Sequence, residues 1–141
     1  TKFRIDWLHL RGEKAGSHDV IWEFLPGMPD GMDRDSQGRI WIGVIKKRTG
    51  FITWAHRNPW IKYALLNLPQ SILPVPRQTG LLVLSADASK PLFYTEHDGS
   101  GPGEIAVAVP GPDRVYLPNF RKSSRGLYSI PYPQALKEGA K

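Results

Sequence analysis

Gly31-Met32-Asp33-Arg34-Asp35-Ser36-Gln37-Gly38-Arg39-Ile40-Trp41-Ile42-Gly43-Val44 reads as a short strand, a tight polar turn closed by Gly38, and a strong strand of β-branched and aromatic residues. The pattern returns as Ile105-Ala106-Val107-Ala108-Val109, then Pro110-Gly111-Pro112-Asp113, then Arg114-Val115-Tyr116-Leu117. Both copies run strand, polar turn, basic residue, aromatic-centred strand, which makes a weak internal repeat. Outward from the first copy, Phe3 to Leu10 alternates as a strand does. Val20-Ile21-Trp22-Glu23-Phe24 pairs with it as a hairpin across the polar stretch from Arg11 to Asp19. Leu25-Pro26-Gly27-Met28-Pro29-Asp30-Gly31, with two prolines and two glycines, reads as a loop. Leu81-Leu82-Val83-Leu84 and Pro91-Leu92-Phe93-Tyr94 form a further hairpin around Asp87-Ala88-Ser89. Asp98 to Gly103 is a glycine-rich, linker-like loop, Gly126-Leu127-Tyr128-Ser129-Ile130 is the last strand, and the tail from Gln134 is a frayed helical turn.

One helix interrupts the strands. Asn58 can cap it, Pro59 suits its first position and Pro69 stops it, with a Pro-rich connector following. Trp60, Ile61, Ala64, Leu65 and Leu68 then share a face. With this helix taken as an insertion, the spacing of the repeat shrinks toward the roughly 40–50 residues of a propeller blade.

Composition agrees. The 141 residues include 13 prolines, 14 glycines and five each of Trp, Tyr and Phe, which favours short strands and turns over long helices. No run approaches the roughly 18 apolar residues of a membrane span, and no basic-then-apolar signal opens the sequence. The absence of cysteine excludes a disulfide scaffold, a cysteine nucleophile and a thiolate metal site, and leaves the compartment unassigned. The net charge of +6 is spread widely, with only Lys46-Lys47-Arg48 and Arg121-Lys122 adjacent. It reads as a solvated basic surface rather than a nucleic-acid site.

Leu25 to Met32, followed by Gly38-Arg39-Ile40-Trp41-Ile42-Gly43, resembles a conserved block of strictosidine-synthase-like proteins, and the Pro-Asp-Gly-Met form is similar to the related gluconolactonase/regucalcin family. Three more segments resemble the first group in the same order: Lys2-Phe3-Arg4-Ile5 with Trp7-Leu8 and Gly12, Asn58-Pro59-Trp60-Ile61-Lys62 with Leu68-Pro69, and Arg114-Val115-Tyr116-Leu117 with Phe120. The resemblance implies a six-bladed propeller. Such a ring needs more than about 240 residues, so 141 residues read as its C-terminal portion, a fragment or a subunit. The expected fold is all-β: a partial β-propeller of about two to three four-stranded blades with one inserted amphipathic helix. Residues 1–141 form one partial domain, with 1–24 an outer hairpin, 25–98 a blade carrying the helical insertion 58–68, and 104–133 the last blade. A protein partner or a missing chain segment is expected to complete the propeller.

Asp30 is the candidate metal ligand. In gluconolactonase-like proteins the Asp of this motif faces the central channel and ligates a divalent cation, usually calcium, and the resemblance carries that role to Asp30. Pro29 and Gly31 suit a carboxylate held beside an ion, although calcium takes about six to eight oxygens, so Asp30 is a fraction of a site. The alternative is an Asp that completes a turn through its own backbone hydrogen bonds. Asp33-Arg34-Asp35-Ser36-Gln37-Gly38 imitates the start of an EF-hand loop, but Val44 stands where the bidentate Glu belongs, so it reads as a hairpin turn.

The strictosidine-synthase condensation of an amine with an aldehyde depends, in the family, on a Glu in a strand of the last blade. The matching region here is Ala106-Val107-Ala108, and the nearest acid is Glu104 in the glycine-rich loop. That departure argues against this chemistry. His9, His18, His56 and His97 lack metal spacing; His97, beside Glu96 and Asp98, reads as a poised base or a solvated turn. There is no Gly-x-Ser-x-Gly elbow and no phosphate loop, so no catalytic residue is assigned. Lys46-Lys47-Arg48 with Phe51, Trp54, Trp60 and Tyr63 suits peripheral membrane contact or a lid packed on the blades. Arg121 to Arg125 reads as an exposed basic turn. Functionally, the resemblance implies a calcium-dependent hydrolase ancestry acting on a small ester or lactone substrate. The alternative is a non-catalytic propeller segment that serves as a binding or assembly subunit, with no nucleic acid in either case.

Overall fold

The computed structural model describes residues 3–69 and 76–137; Lys2, most of the Pro-rich connector (70–75) and the end of the tail (138–141) lie outside the described residues. Strands β1 (Ile5–Leu8) and β2 (His18–Trp22) pair as an antiparallel hairpin. Next comes a four-stranded antiparallel sheet, β3 (Gly27–Arg34), β4 (Ile40–Lys47), β5 (Thr79–Leu84) and β6 (Pro91–His97), its strands in sequence order. A three-stranded sheet follows, β7 (Val109–Pro110), β8 (Arg114–Leu117) and β9 (Tyr128–Pro131). The mostly β, open arrangement of successive antiparallel sheets is that of a partial propeller.

Alternation along β4 explains why the middle sheet has no solvent face at its centre. Ile40, Ile42 and Val44 join Leu82, Leu84, Phe3 and Leu25 in one core, on the side of the first hairpin. Trp41 joins Leu81, Val83, Val115 and Leu117 in a second core, on the side of the third sheet. The pairs Ile42↔Leu82 and Trp41↔Val83 keep like faces together across the β4–β5 ladder. Thr79 adds a polar tie: its buried hydroxyl donates to Val44 O at 2.7 Å and accepts from Ile105 N at 3.0 Å.

Glycine sets the distance between sheets. A Cβ on Gly43 would lie 2.7 Å from the carbonyl carbon and oxygen of Ala106, and one on Gly31 would lie 2.8 Å from Val107 Cβ. Backbone therefore packs on backbone, and Gly31 N donates to Ala106 O at 2.7 Å. Gly31 and Gly43 of the opening motif serve this close approach, while Gly38 at φ +77° closes the turn.

Two segments differ from expectation in their strands, and the insertion holds two helices where one was expected. The stretch expected as a loop, 25–31, enters β3 at Gly27; Gly27 and Met28 pair with Lys47 and Lys46. Pro29 is tolerated because β3 is an edge strand and its ladder shifts on both sides of that residue. The strand expected over 105–109 reduces to β7 and an isolated Ile105↔Asn119 bridge. Its backbone bonds are divided between neighbours, with Ala106 N donating to Pro118 O while Ala106 O accepts from Gly31 N.

Between β4 and β5 stand two helices in succession, α1 (Gly50–Arg57) and α2 (Pro59–Leu66). Thr49 caps α1, its hydroxyl accepting from Ile52 N at 3.2 Å. Asn58 makes no side-chain cap for α2, because its amide donates instead to Trp54 O at 2.9 Å and closes α1. The expected apolar face of α2 is only partly covered: Ile61 and Leu65 are half-buried, while Trp60 and Ala64 are exposed. A short α3 (Gln134–Lys137) sends Leu136 into the second core.

Gly43→Ala is expected to lower unfolding free energy by about 1–3 kcal/mol, the usual cost of overpacking where backbone cannot yield. Gly50→Ala, where an added Cβ meets nothing within 4 Å, should stay within about 0.5 kcal/mol of the parent. Denaturant unfolding of the two variants checks both.

Candidate functional site

The tip of the β3–β4 hairpin carries the most heavily bonded carboxylate among the described residues. Asp35 Oδ1 accepts from Gln37 N at 2.9 Å and Arg39 N at 3.0 Å. Its Oδ2 accepts from Arg39 Nε at 2.7 Å, Trp41 Nε1 at 2.9 Å and Tyr132 Oη at 2.8 Å. Arg39 also reaches Leu136 O at 2.8 Å and the Tyr132 hydroxyl. Only 5% of the Asp35 side chain and 10% of Arg39 is exposed. Burial pushes the Asp35 carboxyl up, but the donors Trp41, Tyr132 and Arg39 together outweigh it and hold the group below the usual carboxylate range. Burial and the carboxylate push the Tyr132 phenol up to about 12. An open cleft of about 590 Å³ lies alongside, lined by Asp35, Arg39, Pro110, Tyr132 and Lys137. With both oxygens saturated by donors, Asp35 has no lone pair to offer a cation. The EF-hand-like run is a structural turn.

Asp30 stands differently. It sits in β3 where the ladder shifts between Pro29 and Met32, immediately before the glycine that meets the 105–108 segment. The residue is exposed, and its carboxylate takes no hydrogen bond or ion pair from the described residues. Asp30 therefore lies in a strand, without the self-bonded turn considered as its alternative. Among the described residues no group of three or more His, Asp or Glu is placed to hold a metal. Asp30 alone can give one carboxylate to a shared shell.

Glu104 occupies a left-handed backbone position (φ 54°) ahead of the 105–108 segment, with its carboxylate 3.3 Å from Lys46 Nζ. His97 Nδ1 accepts from Gly99 N at 3.0 Å and lies 3.3 Å from Asp98 Oδ1, so that ring is tied to its own turn. His9 pairs with Asp19 at 2.8 Å. Trp60 and Tyr63 on α2 are 73% and 76% exposed, and Trp54 on α1 projects beside Arg48 and Arg57 in an open recess. Periodicity alone does not reveal the Asp35 cluster, because Tyr132 lies in a different sheet's tail. The visible signal is the Asp-x-x-Gly-Arg-x-Trp spacing, which already places three of its participants in one hairpin.

Comparison with known proteins finds similarity to adipocyte plasma membrane-associated protein of Salmo salar, 30% identical over 130 residues, 86% of this chain and 31% of that one. Protein Strictosidine Synthase-Like 10 of Arabidopsis thaliana is 37% identical over 71 residues, half of this chain and 19% of its own length. Protein Strictosidine Synthase-Like 2 of the same plant is 36% identical over 66 residues, 45% of this chain and 18% of its own length. The chain thus spans about a third or less of the curated relatives it matches. No family model and no solved structure matches.

The Asp35 cluster predicts a two-sided pH profile. A depressed carboxyl pKa stabilises the fold above its unfolded value, near 3.8, and the contribution disappears as pH falls through the native value. A raised phenol pKa stabilises below its unfolded value, near 10.0, and is lost as pH rises through about 12. Asp35→Asn should cost about 3–5 kcal/mol by leaving Arg39 buried without its charge partner, and should flatten the acid limb. Guanidinium unfolding across pH measures both effects.

Proposed function

The chain belongs to the strictosidine-synthase-like family, and from that premise we propose that this propeller segment contributes the Asp30 wall of a metal-assisted hydrolase site for small esters or lactones. The observation that carries the reading is the free carboxylate of Asp30 on the edge strand β3, displayed at a ladder irregularity with no partner from the described residues. A divalent cation of the calcium type, when bound, supplies Lewis-acid polarisation of a carbonyl and a more acidic bound water. Asp30 gives it one oxygen, and the remaining ligands come from parts of the whole protein outside this chain. Pro29 and the Gly31 N–H bond to Ala106 O restrict the backbone on either side of the carboxylate. Asp35, saturated by donors, and Glu104, paired with Lys46, do not offer a carboxylate in the same way.

A second reading, a non-catalytic segment that binds or assembles, draws on one comparison within the repeat. Trp41 and Tyr116 hold equivalent places, each on the face of its sheet turned away from the preceding core. Trp41 is fully buried beneath the third sheet, whereas Tyr116 is 40% exposed. The outer face of the third sheet is thus shaped for a further blade, from a partner or from more of the same protein. The exposed Trp60 and Tyr63, with Lys62 between them, are the part of the chain suited to peripheral membrane contact.

Calcium titration of thermal melting decides between the first two readings. The hydrolase reading predicts a melting temperature that rises with calcium, by the linkage worth about 2.7 kcal/mol at a hundredfold excess over Kd, and loss of the rise in Asp30→Ala. No rise, in the chain alone or with the rest of the propeller supplied, leaves the assembly reading standing and removes the metal from the account.

A further inference from the structure

Four segments that are distant in sequence, one strand end and three loops, converge on a small cleft of about 260 Å³, lined by Lys46, Pro76, Arg77, Gly103, Glu104 and Arg121. Three of these side chains are cationic and one is anionic. The end of β4 brings Lys46, the approach to β5 brings Arg77, the 98–104 loop brings Glu104, and the loop after β8 brings Arg121. Like charges gathered at one place repel one another unless an anion sits among them. One carboxylate is present: Glu104 pairs with Lys46 at 3.3 Å. Two guanidinium groups remain in excess. Arg121 donates from Nη1 to Gly99 O, and its Nε and Nη2 carry no hydrogen bond to the described residues. Arg77 is exposed, and its guanidinium has no partner among the described residues.

The walls are held by backbone rather than by flexible side chains. Gly99 adopts φ +81°, and a Cβ there would come 2.3 Å from Arg77 O, so only glycine lets the 98–104 loop lie against the Arg77 backbone. At Gly103 a Cβ would lie 3.1 Å from Arg121 Nη1 and 3.3 Å from its Cδ, so the guanidinium stem rests on bare backbone. Such fixing spares a ligand the entropy of ordering these loops and leaves it only the Arg77 side chain to order.

We propose that this cleft binds the oxyanion group of a small molecule, a carboxylate or a phosphate, with Arg77 and Arg121 as its forked donors. Planar guanidinium groups match both oxyanions in geometry, and two of them with a lysine alongside exceed what the single carboxylate neutralises. Glu104 acts in this arrangement as an internal competitor: it occupies Lys46 and repels the incoming anion. The inference does not rest on the calcium reading, and its test is run without divalent cations.

Binding of inorganic phosphate and of citrate is measured by calorimetric titration of the protein in EDTA, at constant ionic strength made up with chloride. Saturable binding of either probe is expected, and the tighter one identifies phosphate or carboxylate as the preferred group. Arg77→Gln, which breaks no bond among the described residues, should weaken binding at least fivefold with an unchanged melting temperature. Glu104→Gln should tighten binding severalfold, a direction that a purely structural Lys46–Glu104 pair does not produce. Absence of saturable binding for both probes overturns the proposal, as does binding that is indifferent to Arg77→Gln or weakened by Glu104→Gln.

Discussion

A carboxylate taken out of water costs several kcal/mol unless donors replace its hydration, and Asp35 is supplied with donors from two sheets. The backbone of Gln37 and Arg39, the Arg39 guanidinium and the Trp41 indole come from the β3–β4 hairpin itself. The Tyr132 hydroxyl comes from beyond β9. The first group shapes the turn; the last joins the middle sheet to the third. Because Trp41 also fills the second core, the same contact fixes an indole that meets the Tyr132 ring edge to face at 5.1 Å between ring centroids. Remove the charge partner, and the hairpin tip, the indole and the tail after β9 lose their common anchor.

Around that anchor the sheets behave as slices of one stack. The two central strands of the middle sheet are buried on both faces, which explains why β4 and β5 read as nearly continuous apolar runs rather than alternating ones. Gly31 and Gly43 admit the 105–108 backbone against that sheet, and Thr79 binds β4 to the same segment with its one hydroxyl. The stacking is directional. Each strand equivalent to β4 turns one face back to the preceding core and one forward, and the forward face is finished at Trp41 but open at Tyr116. Membership of the strictosidine-synthase-like family fits this geometry of successive blades.

Much of the fold was legible because strand period and turn chemistry are local. The hairpins around Gly38 and around Asp87-Ala88-Ser89 follow from alternation broken by polar turn residues, and Asp87 binds Ser85 and Ser89 within its own turn. Local rules failed where a partner outside the segment decides. The β-rich run 105–109 reads as a strand, yet its hydrogen bonds are divided between β3 and the segment after β8, and only its end is laddered. Helix α1 went unread because Gly50 opens it and no acidic residue marks its first turn, although Thr49 was a usable cap signal. The apolar residues of α2 suggested a buried face, but spacing cannot tell a covered face from an uncovered one. Asp30 stood out through its motif, whereas the cationic cleft was invisible, since Lys46, Arg77 and Arg121 meet only in three dimensions.

The hydrogen bond from Tyr132 to Asp35 carries coupling between the middle and third sheets. A double-mutant cycle with Asp35→Asn, Tyr132→Phe and the double variant, read by equilibrium unfolding, tests it most directly. Groups in one hydrogen-bonded network show interaction energies of about 0.5–3 kcal/mol, and a value of at least about 1 kcal/mol is expected for this pair. Strictly additive losses would mean that the two side chains act separately, and that the sheets are held together by apolar packing without the carboxylate.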